Sequence, residues 1–226
     1  MNIGLIVAAG RGYRVGGPLP KQYLPLAGEP ILRHTIRALT RHPGIDAVQV
    51  VIHPDDVPLY EDATKDLEKL RPVLFGGTER QDSARLGLEG LAGQQPRTVL
   101  IHDAVRPFVS APIISAVLAA LTRGPAALVG VPLADTLKCV EDGMVTATVP
   151  RAGLWRAQTP QGFRYADILR AHRHAVHSAP GVDFTDDAMI AEHAGLRVEM
   201  VPGSEDNFKI TTAADLARAE TMLQGA

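Results

Sequence analysis

The chain has 226 residues, of which 46% are hydrophobic and 21% charged, and its net charge is −2. Those values describe one large globular domain, or one with a small appendage, with a substantial core, and they exclude a global basic field for nucleic acid, so any phosphate site must be local. The single cysteine, Cys139, excludes an internal disulfide and a cysteine-rich zinc site; with no apolar run near twenty residues and no charged leader, a cytoplasmic protein without membrane contact is expected.

Ile3, Leu5, Ile6 and Val7 make a β-branched-rich run of strand length. The stretch over residues 5–23, LIVAAGRGYRVGGPLPKQY, continues as a loop broken by Gly10 and Gly12 and carrying Arg11, Arg14 and Lys21. Glycines here permit positive φ and close backbone approach to a ligand, and the neighbouring cations suit a polyphosphate. Neither familiar phosphate loop fits. A Walker loop needs Gly-Lys-Ser/Thr, whereas Lys21 lies between Pro20 and Gln22. A dinucleotide fingerprint needs a small residue where Val15 stands and a helix directly after, whereas Pro18 and Pro20 keep the chain extended.

Further on, spacing predicts a helix over 31–39, a strand over 48–52, a charged exposed helix over 55–70 and a strand over 73–75 ending at Gly76-Gly77. Thr78 begins a Thr-x-x-Gln pattern, so a capping box should open a helix over 79–91. A strand over 98–101 runs into His102-Asp103, and a helix over 112–121 and a strand over 126–131 follow. The rhythm breaks at about 133–155, where Asp142-Gly143 is a hairpin turn between alternating residues. An isolated ribbon is marginal in water, so this arm is expected to lie on the body or on a partner chain, with Trp155 anchoring its base and Cys139 a small filler. Helices over 165–176 and 187–193, a strand over 197–201 and a helix over 213–223, capped by Thr211 or Thr212, complete the chain. The alternation predicts an α/β fold, a mostly parallel sheet with helices on both faces, as one domain over 1–226.

In such sheets ligands bind at the carboxyl ends of the strands. Four segments fall there: 10–21, 76–83, 102–106 and 207–211. Singly, each reads as a turn, a cap or a surface ion pair. Together they place an acid, several cations and two glycine turns on one rim, which suits a metal-chelated triphosphate. His172 and His174 face different sides of a helix and, with His177, read as structural.

The first loop resembles the signature of sugar-phosphate nucleotidyltransferases. The ordered set AAGRGYR, PKQY, GGTERQDS, HDAVRPF, DTLK, PRAGLWRAQTPQGF, FTDDA and NFKIT resembles the 2-C-methyl-D-erythritol 4-phosphate cytidylyltransferase family along essentially the whole chain. The resemblance implies a Rossmann-like nucleotidyltransferase fold, CTP and a polyol phosphate as substrates, Mg²⁺ or another divalent cation, and a homodimer joined through the β-arm. It implies that the backbone of Ala8, Ala9, Gly10 and Gly12 holds the CTP phosphates, with Arg14 and Lys21 beside the α-phosphate and Lys209 at the reacting phosphates. Gly76, Gly77 and Ser83 would recognise cytosine and ribose. Asp103, Ala104 and Arg106 would face ribose, metal and acceptor, the metal being held by Asp103 or otherwise through the CTP phosphates. Thr136 and Arg151 of the arm would reach the neighbouring subunit's acceptor, and Thr185 would add a contact there. Val105 stands where many members have alanine and Thr78 where some have an acid; neither change removes a needed charge. PRAGLWRAQTPQGF also resembles the first half of bifunctional relatives with a fused cyclodiphosphate synthase, and a monofunctional chain is the expectation here. Three rivals stand beside this reading: a ribitol-5-phosphate cytidylyltransferase with similar loops, a non-catalytic nucleotide-binding module, and a nicotinamide dehydrogenase. The last is weakened by Val15 and by the lack of an acid at the end of the second strand.

Overall fold

The structure is a computed structural model that describes residues 1–11, 19–179 and 181–225. In chain order the strands are β1 Asn2–Ala8, β2 Pro25–Leu26, β3 Glu29–Pro30, β4 Ala47–Ile52, β5 Leu74–Phe75, β6 Thr98–Asp103, β7 Ala126–Pro132, β8 Leu137–Glu141, β9 Met144–Val149, β10 Trp155–Arg164 and β11 Val198–Pro202. The helices are α1 Ile31–Thr40, α2 Val57–Thr64, α3 Arg80–Gly90, α4 Ala111–Arg123, α5 Tyr165–Ser178, α6 Asp187–His193 and α7 Ala213–Gln224. Seven strands form one sheet in the order β11-β7-β10-β6-β1-β4-β5, parallel except for β10, which runs antiparallel to β6 and β7.

Strands buried on both faces read as continuous apolar runs, and their alternate residues feed two cores. Ile6, Val48, Val50 and Leu100 point to one layer with Leu32 and Ile36 of α1 and Ile114 and Val117 of α4. Ile3, Leu5, Val51, Val99 and Ile101 point to the other, against Leu88 of α3, Ile168 of α5 and Ile190 of α6. Thr212 and Asp215 form a reciprocal capping box at the start of α7, which settles the cap between the two threonines. Among the described residues, no helix is long and apolar enough to cross a membrane.

Two elements differ from expectation, and a third is left with only one of the two places open to it. The helix predicted over 55–70 ends at Thr64: Lys65 leaves helical geometry, Asp66 and Lys69 take positive φ, and Val48 N–H donates to Lys69 O at 2.8 Å, drawing the chain back beside β4. Strand β10 was hidden in the sequence by Pro160 and Gly162. Proline is foreign to a central strand except at a bulge, and here the ladder shifts between Ala157 and Gln161, around a cis Thr159–Pro160 bond. The ribbon β8–β9 forms as predicted around Asp142 and Gly143, both at positive φ, but it does not lie on the body: all its strand residues are exposed except the half-buried Val149. Cys139 is therefore exposed rather than a filler. Trp155 pairs with Pro132 at the ribbon's base and remains 39% exposed.

Phe163 on β10 is fully buried in the second core. Phe163→Ala should lower stability by about 3–5 kcal/mol in denaturant unfolding, the range for emptying a tightly packed aromatic site.

Candidate active site

The four rim segments do converge. The ends of β1, β5 and β6 and the loop after β11 enclose a cavity of about 270 Å³, lined by Ala8, Ala9, Gly10, Lys21, Gly77, Ser83, Asp103, Ala104 and Lys209. Gly76 and Gly77 border a groove that opens beside it. A second cavity of about 240 Å³ adjoins across Arg80, Asp103 and Lys209 and is walled by Arg106, Gln158, Thr159, Thr185 and Asp186.

Both glycines of the Gly76-Gly77 turn are required by contact rather than by φ. A Cβ on Gly76 would lie 2.4 Å from Ala9 Cβ and 2.5 Å from Ser83 Oγ; one on Gly77 would lie 2.5 Å from Asp82 Cβ. Gly10 behaves differently. It has no positive φ, and no described atom lies within 4 Å of the place its Cβ would take, so the room there is cavity. The capping box predicted at Thr78 is not formed: Glu79 is the N-cap of α3, and Thr78 Oγ1 approaches Asp82 Oδ2 at 3.4 Å instead. Ser83, buried, donates to Glu79 O at 3.1 Å and so stands upright beside the glycine turn.

Asp103 is the electrostatic centre. Its Oδ1 lies 3.4 Å from Arg80 Nε, and its Oδ2 lies 3.0 Å from Lys209 Nζ and 3.4 Å from Arg106 Nε. Burial alone would raise this carboxyl, but Lys209, Arg80 and Arg106 outweigh it and hold the group ionised far below the usual carboxylate range. Arg106 is fixed from behind by Asn207 O at 2.8 Å, and Asn207 donates in turn to Thr159 O at 2.8 Å. Ile210 N–H donates to Val105 O at 2.9 Å, which ties the Lys209 loop to the end of β6.

His102 sets the backbone beneath. Thr159 Oγ1 accepts from Asp103 N–H at 3.0 Å, so its own proton goes to His102 Nδ1 at 3.0 Å; His102 Nε2–H then donates to Arg106 O at 3.0 Å. Burial pushes this imidazole down to about 4, which keeps it neutral.

Of the other expected site residues, Thr185 lines the second cavity. Thr136 and Arg151 flank the exposed ribbon, just before β8 and just after β9, and line neither cavity; Arg151 hydrogen-bonds to Ala134 O. Gly12 and Arg14 fall outside the described residues. Arg11 turns away from the cavity onto Asp55 at 2.7 Å and Asp56 at 3.2 Å. Sequence reasoning missed Arg80 and its buried partner Asp187, although both lie in the quoted motifs GGTERQDS and FTDDA.

No group of three or more His, Cys, Asp or Glu forms a metal cage among the described residues. Asp103 is a buried carboxylate at the junction of the two cavities, and a Mg²⁺ held there would take its other ligands from outside the protein.

A family profile described as "IspD: 2-C-methyl-D-erythritol 4-phosphate cytidylyltransferase" matches residues 3–225. The chain is 57% identical over 221 residues to a bifunctional enzyme IspD/IspF of Paramagnetospirillum magneticum, covering 98% of this chain and 56% of that one. It thus spans about half the length of the first curated relatives it matches. It is 48% identical over 219 residues to a 2-C-methyl-D-erythritol 4-phosphate cytidylyltransferase of Cereibacter sphaeroides, covering 97% and 95% of the two chains. Among solved structures, a 4-diphosphocytidyl-2C-methyl-D-erythritol synthase of Anaerococcus prevotii superposes with a TM-score of 0.85 at 31% identity, over 99% and 96% of the two chains.

Two predictions follow from the site's steric and proton arrangement. Gly76→Ala should lower stability by about 1–3 kcal/mol in urea unfolding, the range for overpacking, since its methyl must displace Ala9 or Ser83. Between pH 6.5 and about 4 the unfolded chain binds a proton on His102 that the folded chain refuses, so stability falls as pH drops through that window. His102→Gln, which keeps a donor for Arg106 O, should show a shallower loss of urea midpoint over the same range.

Proposed function

The chain belongs to the 2-C-methyl-D-erythritol 4-phosphate cytidylyltransferase family, and on that premise we propose that it transfers the cytidylyl group of CTP to 2-C-methyl-D-erythritol 4-phosphate. The products are 4-diphosphocytidyl-2-C-methyl-D-erythritol and pyrophosphate, and the reaction belongs to non-mevalonate isoprenoid precursor synthesis in the cytoplasm. The observation that carries this reading is the shared wall: a glycine-lined cavity and a second polar cavity meet at Arg80, Asp103 and Lys209.

A phosphate oxygen of the acceptor attacks the α-phosphorus of CTP. A new P–O bond forms as the bond to the β-phosphate's bridging oxygen breaks, and pyrophosphate leaves in line with the attack. Both reactants are anions, so the work is alignment and charge compensation. The tight turn at Gly76-Gly77, with Ser83, suits a pyrimidine and its ribose. The backbone at Ala8, Ala9 and Gly10, continued by Gly12, holds the phosphates; Lys21 and Arg14 stabilise the α-phosphate, and Lys209 meets the reacting phosphates as a mobile point charge. Ala104 packs beneath the ribose. Arg106 and Thr185 take the acceptor. Asp103 would hold Mg²⁺, which when bound neutralises charge on the triphosphate.

We further propose that the exposed ribbon is the dimer element, bringing Thr136 and Arg151 to the neighbouring subunit's acceptor. Its apolar residues Val140, Met144 and Val145 are 56%, 72% and 62% exposed in the single chain, which supports burial against a second copy.

Pyrophosphate release with CTP and Mg²⁺ tests the reaction, with methylerythritol phosphate and ribitol 5-phosphate offered in parallel. Turnover with the first is expected; turnover only with the second overturns the acceptor, and silence with both leaves a nucleotide-binding module. Lys21→Ala should lower kcat by roughly 10²-fold, the scale of one preorganised donor. Arg151→Ala should raise the KM for the acceptor and leave CTP affinity unchanged.

A further inference from the structure

Arg80 is the first residue of α3, and its guanidinium stands between the two cavities. Its Nη1 lies 2.8 Å from Asp187 Oδ2 and its Nε 3.4 Å from Asp103 Oδ1, and the side chain is part-exposed. Asp187 is fully buried at the start of α6, and its other oxygen accepts from His172 Nε2 of α5 at 3.1 Å. Burial raises this carboxyl, but Arg80 and His172 outweigh it, so it is ionised.

An arginine of this kind needs explanation. Asp103 is already shared by Lys209 and Arg106. Asp103 attracts Arg80 too, though less than Asp187 does, so two carboxylates together hold this one guanidinium. The closer ion pair, with Asp187 at 2.8 Å, gives Arg80 a second anchor, while 29% of its side chain stays exposed for a ligand. Burying an ionised aspartate and a histidine to hold one partly exposed guanidinium is costly. The expense is intelligible where that guanidinium must stay at one place when polyanions enter from both sides.

We propose that Arg80 is a phosphate-binding residue common to both substrates, bridging the α-phosphate of the nucleotide and the acceptor phosphate, and that Asp187, backed by His172, is the positioning residue that holds it at the junction. This rests on the nucleotidyl-transfer reading for the acceptor half, but not for the nucleotide half.

A double-mutant cycle tests it. In Arg80→Ala, kcat/KM should fall roughly 10²-fold for both substrates, and the Kd of CTP·Mg²⁺ should rise about 10-fold. Arg80→Lys, which keeps the charge but loses the fork, should recover only part of this. Asp187→Asn, close to isosteric, should move the same constants in the same direction by about 10-fold, and His172→Gln less. Adding Asp187→Asn to Arg80→Ala should cost nothing more, because the residue it positions is gone. Millimolar guanidinium should partly rescue Arg80→Ala. Unchanged constants in a folded Arg80→Ala protein overturn the binding role. An Asp187→Asn effect that persists undiminished in the Arg80→Ala background overturns the positioning role and makes Asp187 purely structural. Should the native protein fail to turn over either acceptor, the reaction is wrong; the same cycle read on CTP·Mg²⁺ affinity then still decides the claim for Arg80 and Asp187.

Discussion

A buried carboxylate must be paired or it will not stay ionised. Asp103 meets that requirement by drawing cations from three parts of the chain: Arg80 from the start of α3, Arg106 from the turn after β6, and Lys209 from the loop before α7. Much of the rim is organised by that demand. The Lys209 loop is laced to Val105, Arg106 and Thr159, and without it the carboxylate would lose the nearest of its cations. The same grouping sets three cations around one carboxylate at the end of the sheet, beside the cavities an incoming polyanion would enter. Structural need and ligand need are thus met by one set of groups.

The parallel scaffold was legible because strands covered on both faces must be apolar throughout, as Ile3, Leu5 and Ile6 in β1 and Val48, Val50 and Val51 in β4 are. The rim was legible because ligands of such sheets lie at strand ends, and glycines and cations there stand out against apolar runs. β10 was not legible, since Pro160 and Gly162 look like a loop until a bulge is known to accommodate them. The shortened α2 was not legible either: its charged continuation has helical spacing, and only the pull of Lys69 back toward β4 ends it. Thr78 carried the letters of a capping box, but the geometry passed the N-cap to Glu79.

Arg80 and Asp187 illustrate a different limit. Each sits in a motif that was read for other members, and nothing in spacing links residues on two helices that meet only through the tertiary fold. Such pairs become visible when burial is known, because an aspartate with no exposure must have a cation, and the search for that cation leads to the cavity. His172 has the same history. A histidine on the apolar face of α5 reads as structural, and it is; its Nε2–H nevertheless ends on a carboxylate one step from the site.

His102 shows why a neutral group can serve where a charged one cannot. It lies next to Asp103 in sequence and hydrogen-bonds the backbone of Arg106, so a protonated imidazole there would add a fourth cation beside three that already share one carboxylate. Burial prevents this, outweighing the hydrogen bond to Arg106 O and the charge of Asp103, which both favour the proton. What remains is a rigid two-ended connector with Thr159 at Nδ1 and Arg106 O at Nε2. It joins the end of β6 to the bulge of β10 without altering the charge balance on which Asp103 depends. The bulge in turn carries Gln158 and Thr159 into the second cavity. An irregular strand, a neutral histidine and a shared carboxylate are therefore one arrangement: the connector fixes positions, and the ion cluster is left to respond to charge.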